Sequence, residues 1–355
     1  MQNHTSRLIK WGPYGLHFFF FLKNLLDYKT FKSKKDVSNS MDLEKKINNI
    51  VRVVITSLSF SLLGSLKDKT SLKYGGIIFV IYAVFGIAML LSIANLFAPL
   101  LNMGADQNPQ VIIGMLIGVY ATLAIFIIPM ALILIAISYL LIGRALKVSK
   151  RKYAPLTLVR YIKYLFLPLI GGIIAVLSLY NLKWLWMLVI GAALALGGTI
   201  MLAIGNLIGA ALVSIGIIII LLYFIVVIYN SLRLSIGEAI FVEGEGVINA
   251  LKKSWITTKG NGWELFFSVI ALVFVLYVII LIFTIPAVIY SIIYMFSTMA
   301  IGSNPSPMAG IGYLSDPGYL IAILPSYLAT AYVILVGNWF TVGLYNAITR
   351  KTKKK

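Results

Sequence analysis

Four stretches of this chain, 74–101, 111–143, 265–297 and 319–349, contain no Asp, Glu, Lys, Arg or His, and a fifth, 164–230, contains only Lys183. A charge at the centre of a bilayer costs at least about 2.5–3.5 kcal/mol. About 20 apolar residues suffice to cross hydrocarbon as a helix, because a helix satisfies its own backbone hydrogen bonds. The five stretches therefore predict an all-α, polytopic membrane protein. Composition agrees, since only 12% of residues are charged, against about 25% in a typical soluble domain.

The position of the excluded charge predicts an orientation. Of the 30 Lys and Arg residues, 13 lie in 1–73, seven in 144–163, four in 231–264 and five in 350–355. The segments 102–110 and 298–318 contain none. Cytoplasmic loops collect Lys and Arg, so 144–163, 231–264 and the C-terminus are expected inside and 298–318 outside. Parity then requires 164–230 to cross an even number of times. That block divides into three pieces at "NLK" (181–183) and Gly205-Asn206, so one piece is expected to be re-entrant or oblique. The expectation is about six spans in the cell membrane with both termini cytoplasmic. Its parts are a basic N-terminal region (1–73), an integral membrane domain (74–349) and a basic tail (350–355). Met41 opens a stretch that reads as a second start, so 1–40 reads as an extension.

The same order recurs three times: a basic amphipathic segment, a span, an outer connection and a second span. The units are 42–143, 144–230 and 231–349, which predicts three hairpin-like pairs with interfacial helices between them. The clearest such helix is 247–259. At 100° per residue Val247, Ile248, Ala250, Leu251 and Trp255 share one arc, and Lys252, Lys253 and Lys259 share the other. Lysine opposite tryptophan is the pattern of a helix lying in the headgroup layer. Gly260 is its expected stop. Trp263, Trp184 and Trp186 fall at the level where amphipathic rings settle. The candidate lipid contacts are thus Lys252, Lys253, Trp255, Lys259, Trp263, Trp184 and Trp186.

The segment 229–267, "YNSLRLSIGEAIFVEGEGVINALKKSWITTKGNGWELFF", also resembles a pattern in uncharacterised prokaryotic and archaeal multi-span families. Among these is the membrane region found ahead of some glycerophosphodiester phosphodiesterases. A glutamate-rich turn (Glu243, Glu245) precedes Ala250-Leu251, Ser254-Trp255, Thr258-Lys259-Gly260 and Trp263. The resemblance covers about 40 residues and the following hairpin; it implies a membrane module and no catalysis.

The chemistry available is sparse. There is no cysteine, and the two histidines, His4 and His17, lie in the N-terminal region. The sequence contains no P-loop or dinucleotide fingerprint. No catalytic residue, metal ligand or cofactor is predicted. Glu238, Glu243, Glu245 and Glu264 are the only clustered carboxylates on the expected inner side. Charge at helix starts and pairing with Lys252 and Lys253 account for them more simply than acid–base chemistry does. The cations of 144–163, namely Arg144, Lys147, Lys150, Arg151, Lys152, Arg160 and Lys163, form a basic inner-face stripe suited to anionic lipid headgroups or acidic partners. Gly205 and Gly209 have the small-xxx-small spacing of close helix packing or a homo-oligomer contact.

The first expectation is a non-catalytic membrane scaffold or assembly component held in the lipid bilayer. The second is a passive channel or translocation subunit paired with a separate ATPase partner; archaeal DNA import, with nucleic acid as cargo, would be one case. The third is a lipid-headgroup enzyme using the glutamates.

Overall fold

The computed structural model describes residues 34–101, 109–177, 179–300 and 314–352. The expectations placed on 1–33, including His4, His17 and most of the 1–40 extension, lie outside these residues, as do 301–313 of the outer connection. The chain divides into two compact units, Met1–Asn49 and Ile50–Lys355, with the boundary inside the helix Lys34–Lys67. Among the described residues regular structure is helical throughout, with no strand.

Ten helices follow in order: α1 (Lys34–Lys67), α2 (Lys69–Leu101), α3 (Pro109–Val148), α4 (Leu158–Leu177), α5 (Leu179–Ala203), α6 (Ile208–Leu234), α7 (Gly237–Glu243), α8 (Val247–Thr257), α9 (Gly262–Ala300) and α10 (Pro317–Thr352). Eight helical stretches among the described residues are long and apolar enough to cross a membrane, against the six expected. The additional two come from α1, whose residues 44–67 qualify, and from 164–230, which supplies three helices. Residue 74, where the integral membrane domain is expected to start, lies in the second turn of α2.

Side chains and turns explain the breaks. Asp68 separates α1 from α2 and caps the latter: its Oδ2 accepts from the Ser71 amide at 2.9 Å and the Ser71 hydroxyl at 2.8 Å. That satisfies an N–H the first turn would otherwise leave without a partner. Asp316 serves α10 in the same way, accepting from the Gly318 amide at 2.7 Å. Between α5 and α6, Gly205 takes φ +80, a conformation only glycine adopts without strain. The Asn206 side chain accepts from the Ile208 amide at 3.0 Å and completes the turn. Pro129, Pro168, Pro286 and Pro325 all lie inside helices.

Neighbouring helices pack in pairs. α5 and α6 contact each other more extensively than any other two, followed by α9 with α10 and α2 with α3. In α5–α6 the contact is backbone on backbone. A Cβ added to Gly198 would lie 2.6 Å from the Gly209 carbonyl oxygen, and one on Gly216 would lie 2.6 Å from that of Gly191. Gly209 is therefore a packing residue as expected. Gly205 is not: it forms the turn, and a Cβ there would meet nothing within 4 Å. The packing partners are Gly198 with Gly209 and Gly191 with Gly216.

The densest core lies where α3, α7 and α10 converge. Tyr139, Ile142, Leu146, Phe241, Trp339 and Leu344 are all buried there. Tyr139 meets Tyr164 edge-on with centroids 5.3 Å apart, and Tyr164 stacks on Phe241 at 5.9 Å. Trp339 is wholly buried against Gly64 and donates its indole N–H to the Ser71 hydroxyl at 3.0 Å. Away from this region the long helices keep large apolar side chains exposed, Ile217, Ile218, Phe274 and Ile293 among them.

Candidate functional site at the basic end

α6 ends at Leu234 after a long apolar run, and its last carbonyls have no helical donor of their own. α8 supplies one. The Ser254 hydroxyl donates to the Arg233 carbonyl at 2.7 Å, and Thr258 Oγ1 lies 3.2 Å from the same oxygen. In return Arg233 Nη2 donates to the Trp255 carbonyl at 2.9 Å, and its guanidinium lies 3.6 Å from the centre of the Trp255 ring. Such a stacked cation contributes about 2 kcal/mol once desolvated. Ala250 and Leu251 are buried on the same side. The pattern Ala250-Leu251, Ser254-Trp255, Thr258 is thus a clamp that holds α8 on the end of α6.

α8 is the helix expected to lie in the headgroup layer. Its apolar arc packs on α6, α4 and α7, because protein partners able to accept its hydroxyls lie beneath it. Trp255 belongs to the clamp and is half-buried. Ile248, also placed on the arc, is 72% exposed. Lys252, Lys253 and Lys259 are exposed, as is Trp263, which stacks on Phe267. Trp186 is 69% exposed; the side chain of Trp184 lies outside the described residues. Gly260 takes φ +81 and closes the turn after α8, as expected.

A second set of contacts ties the α3–α4 connection to α7 and α10. Arg151 donates through Nε to Asn346 Oδ1 at 2.6 Å, through Nη2 to Thr349 Oγ1 at 2.6 Å, and through Nη1 to Glu243 Oε1 at 3.2 Å. Its guanidinium also lies 4.0 Å from the centre of the Tyr345 ring. The Tyr345 hydroxyl donates to Glu243 Oε2 at 2.8 Å. Arginine alone offers a flat fork able to serve this many acceptors at once. Nearby, Arg160 donates to the carbonyls of Phe241 and Gly244. Arg144 Nη2 lies 2.6 Å from Asp68 Oδ1 and joins α3 to the α1–α2 break. The hydrogen bond from Arg144 holds the Asp68 carboxyl below the usual carboxylate range.

The basic stripe is therefore two sets, not one. Arg144, Arg151 and Arg160 turn inward and bind protein. Lys147, Lys150, Lys152 and Lys163 remain exposed. The glutamates likewise form no single cluster: Glu243 and Glu245 border one cleft and Glu238 another. Glu243 serves Arg151 and Tyr345, Glu245 pairs with Lys253 at 3.0 Å, and Glu238 accepts from Tyr164. Among the described residues no three His, Cys, Asp or Glu side chains are grouped to hold a metal. Arg233, Tyr345 and Asn346 were not singled out from sequence. Arg233 carried a signal, as the first cation after the 164–230 block.

Residues 63–348 match one protein-family model, described as a domain of unknown function. The chain belongs to the DUF7847 family. The DUF7847 match runs from near the end of α1 to near the end of α10. It contains the whole α6–α8 clamp and every Arg151 partner except Thr349. The family description names no activity and gives no link to the phosphodiesterase-associated membrane region. No curated protein matches this DUF7847 chain. No solved structure matches it.

Proposed function

We propose that this chain is a non-catalytic, multi-span membrane scaffold whose basic end presents a rigid lysine surface to anionic lipid headgroups and to membrane-complex partners. One observation carries the reading: the arginines of 144–163 are consumed in locking helices together, while the four lysines of the same segment stay exposed. A fixed platform bearing compact, hydrated ammonium groups suits attraction of anionic surfaces. Each lysine near such a surface contributes about 1 kcal/mol.

Six of the eight candidate helices cross in this proposal: α2, α3, α5, α6, α9 and α10. α4 lies obliquely at the basic end. Several of its contacts support this. Tyr164 packs on Tyr139 and Phe241, and Gly171 lies against Leu251 of α8. The second half of α4 thereby stays beside α7 and α8. Two crossings by α5 and α6 then keep the basic segments on the cytoplasmic side.

The test is purification of the full chain from native membranes, with lipids and proteins identified by mass spectrometry. Wild type should retain anionic phospholipid and a membrane-complex partner, and Lys147, Lys150, Lys152 and Lys163→Glu together should lose both. Equal retention by the variant would sink the proposal. A co-purifying ATPase with conductance in proteoliposomes would replace it with the translocation reading. A lipid-turnover activity lost in Glu243→Ala or Glu245→Ala would replace it with an enzyme.

A further inference from the structure

A cavity of about 200 Å³ opens between α4, α6, α7 and α8. Its walls are mainly apolar, with Leu167, Pro168, Leu234 and Leu251 prominent. Three polar side chains line it: Ser231, Ser235 and Glu238. Each serine has already given its proton to its own helix, Ser231 to the Val227 carbonyl at 2.9 Å and Ser235 to the Leu232 carbonyl at 2.7 Å. Their oxygens can therefore only accept. Glu238 takes one long hydrogen bond from the Tyr164 hydroxyl, at 3.4 Å, and no Lys or Arg lines the cavity. With Glu238 ionised, every polar side chain in the lining thus offers lone pairs and none offers a proton.

The geometry points to a binding site for a primary alkylammonium ion, with its nitrogen on Glu238, Ser231 and Ser235 and its carbon chain against the apolar walls. An ammonium group has three donors, and three acceptor side chains are present. A hard metal ion requires six or more oxygens, which this lining does not supply. A quaternary ammonium is recognised by aromatic faces, and no aromatic residue lines the cavity. The chemistry is shared by an aminolipid headgroup and a free alkylamine. This site is independent of the lysine surface, and either can fail without the other.

Full-length protein in detergent would be titrated with hexylammonium, dihexanoyl phosphatidylethanolamine and dihexanoyl phosphatidylcholine, with thermal unfolding as the readout. Both primary ammonium compounds should raise the melting temperature saturably, and the choline lipid should not. Saturation at lower concentration by the ethanolamine lipid identifies a headgroup as the source; the reverse order identifies a free amine. Glu238→Gln should weaken binding about tenfold or more, as expected when a charged acceptor is removed. A Cβ at Gly172, on the cavity wall, meets nothing within 4 Å. Gly172→Leu should therefore fill the cavity and block binding with Glu238 intact, which covers a Glu238→Gln protein that fails to fold. Equal stabilisation by the choline lipid, no saturable response to either primary ammonium compound, or an undiminished response in the two variants would overturn the assignment.

Discussion

Gly209 and Gly198 sit so close across α5 and α6 that a Cβ on Gly209 would lie 2.5 Å from the Gly198 carbonyl oxygen. No side chain separates the two backbones there, and none can be added without moving a helix. Gly209→Ala and Gly216→Ala are each expected to destabilise by about 1–3 kcal/mol, the usual cost of overpacking. Gly197→Ala, whose Cβ would meet nothing within 4 Å, should be neutral or gain up to about 1 kcal/mol, what helix propensity adds. Thermal unfolding in detergent distinguishes them, and equal losses at Gly197 and Gly209 would contradict the packing described.

The Arg233–Trp255 stack makes a sharper demand on chemistry. Arg233→Lys keeps the charge but loses the planar contact, and is expected to cost about 1–2 kcal/mol. Ser254→Ala leaves the Arg233 carbonyl short of its closest donor and should cost about 1 kcal/mol. Lys252→Ala, on the exposed side of the same helix, should change stability by less than about 0.5 kcal/mol. Circular dichroism melts of the three variants check the order.

Arg151 and Glu243 should be energetically coupled. A double-mutant cycle with Arg151→Ala and Glu243→Ala is expected to return an interaction of about 0.5–3 kcal/mol, the range for residues in one hydrogen-bonded network. Asn346→Ala should couple to Arg151→Ala in the same sense. Additive losses would mean that the contacts at 2.6 and 3.2 Å carry no net energy.

Acid should weaken the α1–α2–α3 junction. The folded pKa of Asp68 lies below its ordinary 3.8 because Arg144 donates to the carboxylate. A depressed carboxyl contributes stability above its unfolded pKa and loses it as pH falls through the folded value. The melting-temperature gap between wild type and Asp68→Asn should therefore hold steady at neutral pH and shrink below about pH 4. A gap that widened on acidification would have the wrong sign.

Helix class, the long apolar helices and the turns at Gly205-Asn206 and Gly260 were legible in the sequence because each follows from a local rule. Excluded charge marks helices that can span, and positive φ marks glycine. The roles of the cations were harder to read. Net charge does not separate Arg144, Arg151 and Arg160 from the lysines among them, although the arginine fork is what the acceptors around them require. The Trp255–Arg233 stack was not legible because an amphipathic arc is the same pattern whether it faces lipid or protein. The glutamates looked like one cluster because they are close in sequence. In space Glu238 and Glu243 on α7 and Glu245 in the turn after it meet different partners, and Glu264 lies on α9. The cavity beside Glu238 draws on four helices, and no single segment could announce it.

Only four residues, 204–207, join α5 to α6, and the pair makes most of its contacts internally. Contacts so near in sequence have little loop-closure entropy to overcome. This hairpin should therefore assemble early and by itself during membrane insertion, giving the later helices α9 and α10 a finished surface to dock against.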